Sequence, residues 1–160
     1  MATFTWIPGT NADWNTLADW SLSAPATVPG SVAANKDVVS FGPTSTGKQA
    51  PYVVSIATKE SFDVATINIA DNSNAHSAPS LSITGSLFTD TLAYGLSAAA
   101  QPVGITINAG GLFDIRTSIT NASSVAETIT IAGTGIGGHL DLGSATQSGI
   151  TVTVIKPTSR

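Results

Sequence analysis

The stretch Ile105-Thr106-Ile107-Asn108-Ala109-Gly110-Gly111-Leu112-Phe113-Asp114-Ile115 decides how this chain reads, because a variant of it returns 24 residues later. The second copy opens as Ile129-Thr130-Ile131-Ala132-Gly133-Thr134-Gly135 and closes on His139-Leu140-Asp141-Leu142. A fainter, earlier copy is Leu81-Ser82-Ile83-Thr84-Gly85-Ser86-Leu87-Phe88. Each unit is an apolar-polar-apolar strand, a corner containing Gly, and a second short strand. Alternation with a period of two among β-branched residues is the signature of a strand with one buried face. One such unit cannot bury its apolar face alone, whereas stacked units share a continuous interior.

Working outward, the same alternation appears at Tyr52–Ile56, Val64–Ile69, Thr128–Ile131 and Ile150–Val154. The expectation is an all-β chain, folded as a single-stranded parallel β-helix, or solenoid, with an N-terminal cap. A β-sandwich or jelly roll is the alternative, since it produces similar short strands. Residues 51–160 would supply the coils, and residues 1–50 the cap and first strands, within one structural domain.

The first fifty residues lack that repeat and hold all three Trp: Trp6, Trp14 and Trp20. Phe4-Thr5-Trp6 and Asp37-Val38-Val39-Ser40-Phe41 read as short strands. One helical turn would bring Trp14, Leu17 and Trp20 to one side. Trp6 and at least one of the other two are expected to be buried where a solenoid needs its interior covered.

Composition agrees with short stacked strands. The chain has 160 residues, enough for one domain with a real core. Only 10% of residues are charged, against about a quarter in ordinary globular proteins. The net charge of −4 and the lack of any basic cluster argue against nucleic acid as a partner. Cys is absent, which excludes disulfides, thiolate metal sites and a Cys nucleophile. No run approaches the eighteen or so apolar residues of a membrane helix, so no membrane insertion is expected. The opening residues lack the basic and apolar regions of a signal peptide. Met1-Ala2 reads as a natural start or as the head of a domain cut from a longer parent.

Several short motifs invite a chemical reading. Gly42-Pro43-Thr44-Ser45-Thr46-Gly47-Lys48-Gln49 approaches a phosphate-binding loop, but Gln49 stands where a hydroxyl should reach Mg²⁺. Pro51 also opposes the helix that would hold the phosphates. Asn11, Asp13, Asn15 and Asp19 space oxygens as a calcium loop does, yet the loop's Gly and bidentate Glu are missing. Asn and Asp serve turns equally well. His76 lies in a polar stretch; His139 and Asp141 share one side of a strand. Asp114 and Asp141 occupy equivalent coil positions and form the best carboxylate pair for sugar hydrolysis, with Arg116 able to compensate their charge. Thr128/Thr130 and Thr151/Thr153 suggest a water-ordering array, but Thr is also a good strand former. None of these patterns is specific. No catalytic, cofactor-binding or metal-ligating residue is therefore assigned, no cofactor is expected, and the chain is read as no enzyme.

One resemblance bears on role. Phe4-Thr5-Trp6, Asp13-Trp14-Asn15, Asp19-Trp20-Ser21, Val28-Pro29-Gly30 and Asp37-Val38-Val39-Ser40-Phe41-Gly42 run in an order that resembles the opening of bacterial autotransporter-like and related surface β-helix repeat proteins. Residues 107–115 are similar to their recurring coil. The chain departs from them at Ala24-Pro25-Ala26-Thr27, in the longer insert of residues 44–50, and in having no membrane barrel after it. The resemblance implies export, an extracellular or cell-surface location, and a structural or adhesive role, with the three Trp as structural residues of the cap. The expected partner is protein, through self-association or the adjoining coils of a longer parent, with surface polysaccharide a further candidate. The alternative function is a carbohydrate-binding or carbohydrate-processing module. Exposure of Tyr52, Tyr94 or Trp20 as a platform beside carboxylates would distinguish it.

Overall fold

The computed structural model describes residues 1–7, 11–22, 27–42, 52–69, 79–94, 104–121, 127–132, 137–143, 145–147 and 150–154. Its strands are β1 (Thr3–Trp6), β2 (Ala12–Asp13), β3 (Trp20–Leu22), β4 (Val38–Phe41), β5 (Tyr52–Ile56), β6 (Ser61–Ile69) and β7 (Pro79–Ile83). They continue with β8 (Ser86–Tyr94), β9 (Gly104–Ile107), β10 (Leu112–Asn121), β11 (Glu127–Ile131), β12 (His139–Asp141), β13 (Thr146–Gln147) and β14 (Ile150–Val154). Two short 3₁₀ turns, Leu17–Asp19 and Ala33–Asn35, are the helical elements among the described residues.

The strands form two sheets. The larger has eight strands in the order β12-β10-β8-β6-β4-β1-β3, with β13 also on β10; the smaller has six, ordered β14-β11-β9-β7-β5-β2. From β4 to β10, each strand pairs in parallel with the next but one in sequence, and β11 pairs in parallel with β14. A smaller-sheet strand and the larger-sheet strand after it make one level: β5-β6, β7-β8, β9-β10 and β11-β12. Parallel neighbours need a long crossover. Here the crossover carries the strand of the other sheet.

Both sheets contribute to one apolar core. In β5, Tyr52, Val54 and Ile56 are buried in strict alternation. The long strands break phase midway. In β6, Phe62 and Val64 are buried, then Ile67 and Ile69, so Ala65 and Thr66 both turn away from the core. β8 repeats this slip with Leu87, Thr89, Leu92 and Tyr94 inside. β10 carries an extra residue between Ile115 and Ser118, where the pairing register shifts. Such an insertion is a bulge, which bends the strand. Thr89, the buried polar residue of this bend, donates its hydroxyl to Thr91 O at 3.0 Å and lies 3.4 Å from Ala65 O.

The glycine corners of the repeat have a steric origin. Gly85 and Gly111 stand just before β8 and β10, and a Cβ on either would run into a main-chain carbonyl of the preceding level. Gly138, before β12, faces Ile107 O in the same way. The backbone bonds across these corners form a continuous ladder. Ser86 N donates to Glu60 O (2.8 Å), Leu112 N to Gly85 O (2.9 Å) and His139 N to Gly111 O (2.8 Å).

The N-terminal end is built differently. β3 runs antiparallel to β1, whereas β4 runs parallel to it. Trp6, Trp14 and Trp20 are all buried, as the cap reading expected. Trp6 and Trp20 meet edge to face at 4.8 Å, Trp14 and Trp20 at 5.0 Å, and Trp14 stacks on Phe62 at 5.6 Å. Aromatic pairs in such geometries add to simple burial. The indole of Trp20 donates to Trp14 O (2.8 Å), and that of Trp14 to Pro29 O (3.0 Å). Gly30 follows at φ +76, with its missing Cβ aimed at Asp63 N and the Val64 side chain. Buried Asp37 accepts from Ala2 N (3.1 Å) and Gly30 N (3.2 Å). The Val-Pro-Gly and Asp-x-Val segments are thus two halves of one hydrogen-bonded closure.

Candidate functional site

The most chemically varied surface lies on the outer side of the larger sheet. The register places Asp63, Phe88, Asp114 and Asp141 in one row across β6, β8, β10 and β12. Neighbouring members of such a row are about 4.8 Å apart. The pairing of Asp114 with Asp141, read from their equivalent positions, is present as a direct register pair.

Arg116, in the bulge of β10, gathers this row. Its Nη1 donates to both carboxylate oxygens of Asp63, at 3.1 and 3.2 Å, two levels away. Its Nε lies 3.5 Å from Asp114 Oδ2, and Nη1 lies 3.7 Å from Asp90 Oδ1. The guanidinium carbon sits 5.2 Å from the centre of the Phe88 ring, within cation–π range. Burial works to lower the Arg116 pKa. The hydrogen bond to Asp63 and the charges of Asp63, Asp114 and Asp90 outweigh it and hold the group above its ordinary value. Lys36 pairs with Asp90 at 3.2 Å. Three carboxylates, Asp63, Asp90 and Asp114, therefore share two cations on one surface, and the cations are turned onto the protein. Arg116 does compensate Asp114, but its hydrogen bonds go to Asp63.

Asp63, Asp90, Lys36 and Phe88 were not singled out in the sequence. They lie far from Asp114 along the chain, and only the level-to-level register brings them together.

His139 and Asp141 are both exposed and flank half-buried Leu140 on β12. Asp141 Oδ1 accepts from Gly143 N at 2.9 Å, closing the turn after the strand. Asn11 Oδ1 accepts from Val53 N (2.8 Å) and Asp13 Oδ1 from Asn15 N (2.8 Å), while Asp19 O accepts from Ile7 N (2.9 Å). Two side chains of the calcium-like run thus serve a turn and a link to β5. Among the described residues no group of three or more His, Cys, Asp or Glu is placed to hold a metal ion.

The aromatic platform is not formed. Tyr52, Tyr94 and Trp20 are buried. Tyr52 Oη donates to Gly42 O at 3.3 Å, and burial raises its pKa above the ordinary tyrosine value of 10.0. The alternation signals this outcome, since Tyr52 is in phase with Val54 and Ile56, and Tyr94 with Leu92.

The outer side of the smaller sheet carries hydroxyls in register. Ser55, Ser82, Thr106, Thr130 and Thr153 form one row across β5, β7, β9, β11 and β14. The next row, Val53, Ser80, Gly104 and Thr128, is interrupted by Val53 and Gly104. Residues 43–49 of the phosphate-loop motif and His76 lie outside the described residues. No helix among the described residues is long and apolar enough to cross a membrane. Compared with known proteins, the chain matches no family model, no curated protein and no solved structure.

Proposed function

We propose that the chain is a single-stranded parallel β-helix, closed at its N-terminal end by residues 1–50, and that it serves as a structural or adhesive module of a bacterial surface or extracellular assembly without enzymatic activity. The observation that carries the reading is the pairing of next-but-one strands, parallel and level upon level, above a tryptophan-filled end. Each level is then one rung of the helix. Burial of all three Trp and both Tyr supports a structural role, because sugar platforms need exposed rings. The resemblance of the N-terminal segments to surface β-helix repeat proteins points the same way and suggests an extracellular or cell-surface location.

Two experiments test this reading. For the fold, a Thr106→Cys/Thr130→Cys pair in this Cys-free chain is expected to close an internal disulfide, since the two are register partners. Failure to close would favour a sandwich. For the role, beads coated with the chain are expected to adhere to bacterial cell walls more than beads coated with an acidic control protein. Equal adhesion refutes it.

The second reading, a carbohydrate-binding or carbohydrate-processing module, is favoured by one observation: Phe88, incompletely buried, sits between Asp63 and Asp114. Retardation in polysaccharide gels that disappears in Phe88→Ala, or release of reducing sugar that disappears in Asp114→Asn, would establish it instead.

A further inference from the structure

We infer that residues 30–36 form a strap that opens between two fixed feet while both sheets stay intact, and that the contact of Lys36 with Asp90 is its latch, a device that stands whatever the role proposed above.

The strap lies where a neighbouring strand would otherwise lie. Among the described residues β4 pairs only with the second half of β6, residues 66–69. On that side the first half of β6 meets main chain that belongs to no strand. Asp63 N donates to Gly30 O at 3.0 Å, and Ala65 N donates to Asp37 O at 2.7 Å. Gly30 comes this close because it has no Cβ; one would stand 2.8 Å from both Asp63 N and the Val64 side chain.

The feet are firm. Val28 and Pro29 are buried, and Pro29 O accepts from the Trp14 indole at 3.0 Å. Asp37 is buried, adjoins β4 and accepts from Ala2 N. The segment between them is loosely held. Residues 31–35 are exposed throughout, and their 3₁₀ turn contains no buried residue. Beyond its own turns, three polar ties hold the strap among the described residues. Gly30 O accepts from Asp63 N, Gly30 N donates to Asp37 Oδ2 at 3.2 Å, and Lys36 Nζ pairs with Asp90 Oδ2 at 3.2 Å. A segment with so few buried apolar contacts opens locally at lower free energy than the sheet beneath it. Closure also holds Lys36 at φ +50, a left-handed backbone that a residue with a Cβ disfavours. Opening relieves that strain, and the ammonium on Asp90 opposes it.

The latch ties the strap to the charged surface. Asp90 also lies 3.7 Å from Arg116 Nη1, and Asp63, whose main chain meets Gly30, is the residue whose carboxylate Arg116 binds. Closed, the strap supplies one of the two cations of that cluster and holds the Asp63 main chain. Open, it leaves Asp90 to Arg116 and bares the edge of β6 around Asp63. The Lys36–Asp90 pair is partly exposed, so dissolved salt weakens it and the strap opens more as ionic strength rises.

Amide exchange followed by NMR on the whole chain tests this, because three successive amides of β6 report separately. Asp63 N–H bonds the strap and Ala65 N–H bonds the fixed foot, while Val64 N–H points to β8 by alternation along the strand. The protection factor of Asp63 is expected to be at least about tenfold below those of the other two. Lys36→Met removes the latch and should lower Asp63 protection about threefold further, with Ala65 and Val64 unchanged. Sodium chloride at about 0.5 M should do the same to the unmodified chain and add nothing to Lys36→Met. Should Lys36→Met fold poorly, Asp90→Asn removes the latch from the other side and must give the same pattern. Equal protection at Asp63 and Ala65 means that the strap opens only with the sheet, and overturns the inference. Weak protection at Asp63 that ignores both salt and the variants overturns the latch.

Discussion

Replacing Gly111 by Ala tests the stacking of levels most directly. Its Cβ would meet Ile83 O, which accepts from Asn108 N at 2.8 Å; a second bond between the same two levels, Leu112 N to Gly85 O at 2.9 Å, lies close by. No flexible side-chain end is there to yield, so one level must move off the other. Overpacking of this kind costs about 2 kcal/mol, and a stretched interlevel hydrogen bond adds about 1 kcal/mol. With a urea m-value of about 2 kcal/mol/M, a loss of about 3 kcal/mol lowers the midpoint by about 1.5 M. Gly110 is the internal control. It has φ +79 and open space where a Cβ would stand, so Gly110→Ala should cost about 1 kcal/mol, from conformation alone. The measurement is urea unfolding followed by circular dichroism on both variants. A Gly111→Ala midpoint equal to that of Gly110→Ala, or to the unmodified chain, would refute the close-approach account.

Three further outcomes are expected. Asp37→Ala leaves Ala2 N and Gly30 N without their buried acceptor and should cost about 3 kcal/mol, read as a lowered Tm by calorimetry, with Asp37→Asn losing less. Because burial raises the Tyr52 pKa, the unfolded chain loses that proton first as pH rises. Stability from this group is intact below pH 10.0 and falls above it, by about 1.4 kcal/mol per pH unit; urea titrations at alkaline pH should show that Tyr52→Phe removes this slope. Arg116→Met should cost less than about 1 kcal/mol, since the guanidinium network is partly exposed and screened; high salt should shrink the difference, and a cost unaffected by salt would mean the side chain acts by packing instead.

The strands were legible because their apolar positions alternate, and the corners because only Gly fits against the carbonyl of the preceding level. Other features left weaker traces. β6 and β8 read as shorter than they are, because the outward pairs Ala65-Thr66 and Asp90-Thr91 break the alternation midway. β2 and β3 were hidden in the tryptophan-rich opening, where two- and three-residue strands have no periodicity to show. On the surface, Asp114 and Asp141 could be matched because they occupy equal positions in adjacent copies. The contact between Arg116 and Asp63 spans two levels, and nothing local to either residue marks it.

The level-by-level pairing also governs the order in which the chain can be assembled and taken apart. Register partners in parallel strands are separated by 23 residues, as from Ile129 to Val152, up to 42, as from Ala12 to Val54. No pairing between parallel strands is local, so every level must pay for closing a loop before it gains a neighbour. In the β-helix proposed above, once one level exists, the next adds at a nearly constant increment, as in a one-dimensional array. The aromatic cluster of Trp14, Trp20, Phe41 and Phe62 makes the first level the costliest to open. Melting should then begin at the opposite end and travel inward. Amide exchange would record this as a gradient, slowest at Val39 and Ile67 and fastest along β14, with a slope that reports the coupling between adjacent levels.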